Sequence, residues 1–249
     1  MKTIFSFITC LCLGSTLFAE CALSGIFVFP KGNTIRQNPV FVLDGFGFSE
    51  HTIEGLNKEY PVYLQSGDIK VPLIVKEIRK GEFEMTQALL ASSETLIAGL
   101  QYTLRIDHMP SYDNLDRHSG RGTWTVIAGM DTFAPVMNSK PKQTRKILEL
   151  YGCAPVTYVV FDCPVQDSSE LMVKATLKNL ETGKETVYYI ETNGREIKVG
   201  HDMCQGAFKM NEGNRYEVEF DFMDASGNML AWEGTRLRFT KPLKETTND

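Results

Sequence analysis

The sequence predicts an all-β chain of two similar halves, and three observations predict it. β-Branched and aromatic residues gather in short runs divided by turn residues, helical periodicity is nearly absent, and one spacing frame occurs twice. In the first half the strand-like runs are Val40–Leu43, Val71–Ile78, Phe83–Met85, Tyr102–Ile106 and Thr123–Ile127. In the second they are Val156–Phe161, Leu171–Leu177, Thr186–Ile190, Tyr216–Phe222 and Thr235–Phe239. Turn signals such as Ser66-Gly67-Asp68, Lys80-Gly81, Glu181-Thr182-Gly183-Lys184 and Ser226-Gly227-Asn228 join them as antiparallel hairpins. Gln143–Leu150, followed by Gly152, is the one stretch expected to form a helix, of one or two turns.

The repeated frame is apolar-x-x-Gly-x-x-Tyr-x-apolar-x-apolar, found at 96–106 around Tyr102 and at 210–220 around Tyr216. A Pro-Val pair opens a strand 63 residues before Tyr102 and another 61 before Tyr216; a Gly-Thr pair follows them by 20 and 18 residues. Glycine supplies a turn with positive φ into the strand, and the tyrosine packs at the corner while its hydroxyl caps backbone. The frame resembles the tyrosine corner of immunoglobulin-like sandwiches, in which a Tyr stands near the start of the penultimate strand. The resemblance covers nearly all of 21–242 and is similar to exported bacterial proteins made of tandem immunoglobulin-like or fibronectin-like modules. It implies two β-sandwiches, 20–130 and 131–242, with a polar tail at 243–249. Trp124 and Trp232 fall in or beside the last strands, so the antibody pattern of a tryptophan between two cysteines is absent.

Residues 1–19 have the layout of a secretory signal peptide: Lys2, an apolar run from Ile4 to Leu13, then small residues up to Ala19. The run is about half the ~20 residues a membrane-spanning helix needs, so no transmembrane segment is expected. Cleavage after Ala19 leaves 25 Lys and Arg against 31 Asp and Glu, a net charge of −6 without a basic run, which argues against nucleic acid as a partner. An exported chain with Cys21, Cys153, Cys163 and Cys204 invites disulfides, and four cysteines allow three complete pairings. Cys153 and Cys204 both lie in turns, so turn-to-turn bridging suits that pair best, whereas Cys163 reads as a small buried hydrophobe.

Catalytic patterns are missing: there is no Gly-x-Ser-x-Gly elbow, His-Glu-x-x-His pair, phosphate-binding glycine loop or EF-hand spacing. No enzyme activity, cofactor or metal is therefore expected. His201 with Cys204, Cys153 and Cys163 forms a formal zinc set, but thiols in an exported protein tend to oxidise. The candidate recognition loop is 107–121, with Tyr112, Asp113, Asp116, Arg117 and His118 as candidate ligand-binding residues. Its Asp113-Asn114-x-Asp116 run also offers oxygen ligands of the kind Ca²⁺ takes. The expected function is that of an exported, non-catalytic module protein, two sandwiches in a rod that bind an unknown protein or glycan at the cell envelope through loop ends. The alternative is an accessory carbohydrate- or metal-binding module of an extracellular enzyme or transport system.

Overall fold

The computed structural model describes residues 24–111, 113, 115, 122–151, 154–192 and 194–243, and these are almost entirely β. The first half contains β1 (Gly25–Phe29), β2 (Thr34–Ile35), β3 (Val40–Phe46), the short helix α1 (Ser49–Glu54), β4 (Val62–Ser66), β5 (Ile69–Lys80), β6 (Met85–Ser92), β7 (Gln101–Ile106) and β8 (Thr123–Val126). Their order is β1-β3-β6-β5-β4-β7-β8-β2. The long β5 serves two sheets: Ile69 to Pro72 pair with β4, and Leu73 to Lys80 pair with β6, with a register shift between Val75 and Glu77. Such an irregularity sharpens the local twist of the strand. β2 and β8 run parallel, and the other pairings are antiparallel. Trp124 fills the centre of this half; its ring lies 4.9 Å from Phe41 and its Nε1 donates to the Pro30 carbonyl at 3.0 Å.

The second half contains β9 (Val136–Met137), β10 (Gln143–Leu150), β11 (Pro155–Asp162), β12 (Val165–Gln166), β13 (Leu171–Asn179), β14 (Glu185–Glu191), β15 (Glu196–His201), β16 (Arg215–Asp224), β17 (Met229–Leu230) and β18 (Leu237–Thr240). One sheet is β10-β11-β15; the other is β14-β13-β16, with β17 and β18 both on β16, and β9 pairs with β12. Phe161, Phe208, Phe220 and Phe222 make the aromatic centre of its core.

Gln143–Leu150 is not a helix. It is β10, paired with β11 from Gln143 opposite Phe161 to Leu150 opposite Pro155. Helix-forming residues occupy it, but pairing along a sheet edge satisfies its backbone, and this tertiary contact overrides a weak local preference. The first half in turn holds the six-residue α1, too short to show periodicity. Phe83 also departs from expectation: it precedes β6 and bridges to Gly206 in the second half.

Both frame tyrosines cap backbone five residues upstream. The Tyr216 hydroxyl accepts from the Asn211 N–H at 2.7 Å and the Tyr102 hydroxyl from the Ile97 N–H at 3.5 Å. Gly213 and Gly99, at φ +78° and +83°, make the intervening turns. Tyr216→Phe is expected to lower stability by about 1 kcal/mol in urea unfolding, and Tyr102→Phe by less, because its bond is stretched. Equal losses would show that the hydroxyls do not act through these bonds.

The apolar clusters divide near residue 130, and a third one joins them: Phe29 and Val42 pack with Met172, Tyr189, Met223 and Ala225. Backbone hydrogen bonds cross the same seam, with the Val40 N–H on the Ala225 carbonyl at 2.9 Å and Phe83 exchanging two bonds with Gly206. The Gln87 amide imitates a strand partner, donating to the Tyr189 carbonyl at 2.8 Å and accepting its N–H at 3.0 Å. Glu82 accepts from Thr186 Oγ1 at 2.6 Å and the Lys209 N–H at 2.8 Å, and pairs with Lys184. Burial opposes the charge on Glu82, but these partners outweigh it and hold its pKa below the ordinary value. The halves therefore meet along strand faces, unlike beads touching only at their tips.

Candidate binding cleft

Alternation along β3 sends Phe41 and Leu43 into the first core and leaves Val42 and Asp44 on the face turned to the second half. Val42 joins the apolar seam. Asp44 stands just beyond it, in a row with its cross-strand neighbours Phe27 on β1 and Gln87 on β6. Tyr188 on β14 keeps its ring in the second core and brings its hydroxyl across to donate to an Asp44 carboxylate oxygen. Gln87 Nε2 approaches the other oxygen at 3.4 Å.

Burial, the largest influence, together with Glu191 and Glu50, raises the Asp44 pKa to about 7 against the opposing Tyr188 and Gln87 hydrogen bonds. Although surrounded by protein, Asp44 keeps one edge on a cavity of about 330 Å³ between the halves. Tyr158, Gln205, Lys198 and Asp202 face the same cavity from the second half, and Phe27 and Lys31 from the first. A second cavity of about 350 Å³ adjoins it and shares Lys31, Glu191 and Lys198. Lys31 and Glu191 form an ion pair at 2.5 Å where the two meet.

Several polar groups in the cleft lack protein partners. Gln205 Oε1 is buried without a hydrogen bond. Among the described residues the Tyr158 hydroxyl has none either, and Lys198 makes no ion pair. Burial and the Asp202 charge push the Tyr158 hydroxyl pKa above the usual tyrosine value. The turn carrying Gln205 is held by the Asp202 N–H on the Gln205 carbonyl at 2.7 Å and by the Gly206 N–H on the Phe83 carbonyl at 2.8 Å. A Cβ on Gly206 would stand 2.3 Å from His201 Cα, so this close approach requires glycine.

The residues singled out in the 107–121 loop do not assemble a described site. Tyr112, Asp116, Arg117 and His118 lie outside the described residues. Asp113 is buried, and its two oxygens accept from Ser49 and Thr52 of α1, which turns it inward as a brace instead of presenting it to a ligand. His201 stacks edge-on to Phe83 at 5.6 Å, and burial, its chief influence, lowers its pKa. Cys163 is free and buried in the second core. Cys204 is disulfide-bonded, so it offers no thiolate to a metal. Its partner and Cys153 both lie outside the described residues.

Among the described residues one three-carboxylate group has metal-like spacing: Asp131, Asp167 and Asp224, with ligand oxygens within 4.8 Å of one another. Local backbone already occupies these carboxylates. Asp131 accepts from the Phe133 N–H, Asp167 from the Ser169 N–H, and Asp224 from the Ser226 and Asn228 N–H groups. Burial raises the Asp224 pKa, with the Asp167 charge adding to it.

The cleft escaped sequence reasoning because its walls come from residues up to 180 positions apart, Phe27 to Ala207.

No family model and no curated protein matches the chain. Solved structures that resemble it do so at low scores. A pullulanase of Anoxybacillus sp. LM18-11 complexed with maltotriose is 9% identical, with TM-score 0.26, over 80% of this chain and 24% of that one. The Yersinia pseudotuberculosis adhesin InvE is 12% identical, with TM-score 0.23, over 87% and 58%. The calcium binding domain CBD12 of CALX1.1 is 11% identical, with TM-score 0.20, over 80% of each. This chain spans about a quarter of the pullulanase, and at these scores the likeness assigns neither ligand nor activity.

Proposed function

We propose that the protein is an exported, non-catalytic binding protein of two immunoglobulin-like sandwiches, and that its ligand site is the cleft between them. The sandwich reading draws on strand order. Sheet β1-β3-β6-β5 opposite β4-β7-β8 follows the A-B-E-D and C-F-G pattern, and β10-β11-β15 opposite β14-β13-β16-β18 follows the related three-plus-four pattern of fibronectin-like modules. Export draws on the leader-like first 19 residues.

The observation that carries the binding reading is a cavity of ligand size between the halves, about 330 Å³, lined by Asp44, Gln205 and Tyr158, whose hydroxyl has no partner among the described residues. Clefts of about 300–1,000 Å³ with a few convergent polar groups are the usual form of small-ligand sites. The cleft also supplies what the rod reading lacked, a concave surface built from both halves.

Native mass spectrometry of the protein purified from its host's envelope fraction tests this. The expected result is a bound mass on wild type that is lost from Gln205→Leu and Tyr158→Ala with the folded state intact. A bound mass indifferent to both substitutions would place the ligand elsewhere. An intact protein partner recovered in place of a small ligand would restore the adhesive reading.

A further inference from the structure

A free strand edge carries unpaired backbone N–H and C=O groups, and folds usually close it. In the second half the β14 edge is closed by the Gln87 amide, which binds both the Tyr189 N–H and its carbonyl. β10 has no such cover. It ends the sheet β10-β11-β15, all eight of its residues are exposed or half-buried, and among the described residues no backbone hydrogen bond reaches its outer edge. Leu150 is 60% exposed and the adjoining Tyr151 53%. The strand holds no proline, and Lys146, whose charge would guard the edge, is drawn to Thr240 Oγ1 of β18 at 2.8 Å.

Which groups face outward follows from β11. The Val160 carbonyl accepts from Thr144 Oγ1 at 3.2 Å, so Val160, and with it Tyr158 two residues earlier, turns its backbone to β10. Arg145 and Ile147, opposite Val160 and Tyr158, turn theirs to β11. The N–H and C=O groups of Lys146, Leu148 and Leu150 are left on the free edge.

A second copy of the same strand fits those groups. Two copies related by a two-fold axis pair antiparallel about one residue, which meets itself. Arg145, Lys146 or Glu149 at the centre sets like charges opposite each other, and Leu148 there matches no charges. Ile147 at the centre sets Arg145 against Glu149 of the other copy, twice, and pairs the backbone of Lys146 with that of Leu148. Arg145 holds Glu196 through Nη1 and Nη2, which leaves its Nε–H unused. One Glu149 oxygen accepts from the Tyr151 hydroxyl at 2.6 Å, and the other has no partner among the described residues.

We propose that the chain forms a two-fold dimer by pairing β10 antiparallel with β10 of a second copy, centred on Ile147, independently of what the cleft binds. The sheet then runs unbroken through six strands, β15-β11-β10 and their counterparts. The strand pair offers eight residues a side against the roughly 20–30 of a standard interface, so the dimer dissociates on dilution.

Sedimentation velocity of the full chain from about 1 to 200 µM tests this, a range that brackets weak association. The expected result is a monomer that becomes a dimer with concentration. Glu149→Arg sets two arginines opposite each other and should weaken the dimer at least tenfold with wild-type melting. Mild oxidation of two cysteine variants checks the register. At the centre of the pairing, Ile147→Cys places the two Cα atoms about 4.5 Å apart, within disulfide reach, and should give a covalent dimer linked through position 147 of both copies. Leu150→Cys lies about 20 Å from its counterpart and should stay monomeric, although the native residue is the more exposed of the two. A monomer at every concentration would overturn the proposal. So would a dimer indifferent to Glu149→Arg, or crosslinking of Leu150→Cys as fast as that of Ile147→Cys.

Discussion

Asp44→Asn is expected to stabilise the protein at pH 8 and leave it nearly unchanged at pH 4. The Asp44 carboxyl titrates near pH 7 when folded, against an ordinary value of 3.8. Between those values the folded chain binds a proton that the unfolded chain has lost, so wild-type stability falls as pH rises from about 4 to 7 and levels off above. A separation of about three pH units corresponds to about 4 kcal/mol. Because one edge of Asp44 meets the cleft, water there screens part of this, and about 2–4 kcal/mol is expected. Asparagine keeps an oxygen for the Tyr188 hydroxyl and never ionises. Asp224 also has a raised pKa and contributes equally to both proteins, so the difference between two urea series across pH reports Asp44 together with its coupling to Glu50 and Glu191. Parallel curves would mean that Asp44 is solvated.

Cys204→Ser is expected to produce the other large change. Cys204 is disulfide-bonded and Cys163 is free. With Cys153 as the partner, the bridge closes a loop of about fifty residues and, through the chain entropy of the unfolded state, contributes about 4 kcal/mol. Such a loss is a large share of a domain's stability, so the variant should melt far below wild type. Peptide mapping of unreduced protein is expected to give a Cys153–Cys204 crosslink, with Cys163 alkylated only after unfolding. A crosslink from Cys204 to Cys21 would instead tie the second half to the amino terminus.

The parts legible in the sequence are those written locally. Runs of apolar, β-branched and aromatic residues bounded by turn residues mark β3, β7, β11, β13 and β16, and the recurring Gly-x-x-Tyr spacing marks the two corners. β10 misled because Lys146, Leu148 and Glu149 are good helix formers, whereas its strand state comes from the β11 edge. Asp113 misled because a polar residue in a long loop reads as solvated until α1 is known to lie beneath it. The seam was hidden for a different reason: Val42, Met172 and Met223 look like ordinary strand residues, and only the tertiary fold shows that their second face is covered as well.

A cleft between docked halves requires Asp44 to lie at a closed seam, and this can be observed without knowing the ligand. The direct measurement is a carbon-13 NMR titration of the Asp44 side-chain carboxyl in the full chain. Docked halves predict a midpoint near pH 7, falling towards the ordinary carboxyl range when Met223→Asp opens the seam. A wild-type midpoint near pH 4 would show that water reaches Asp44 from both sides, and the cleft would not exist as described.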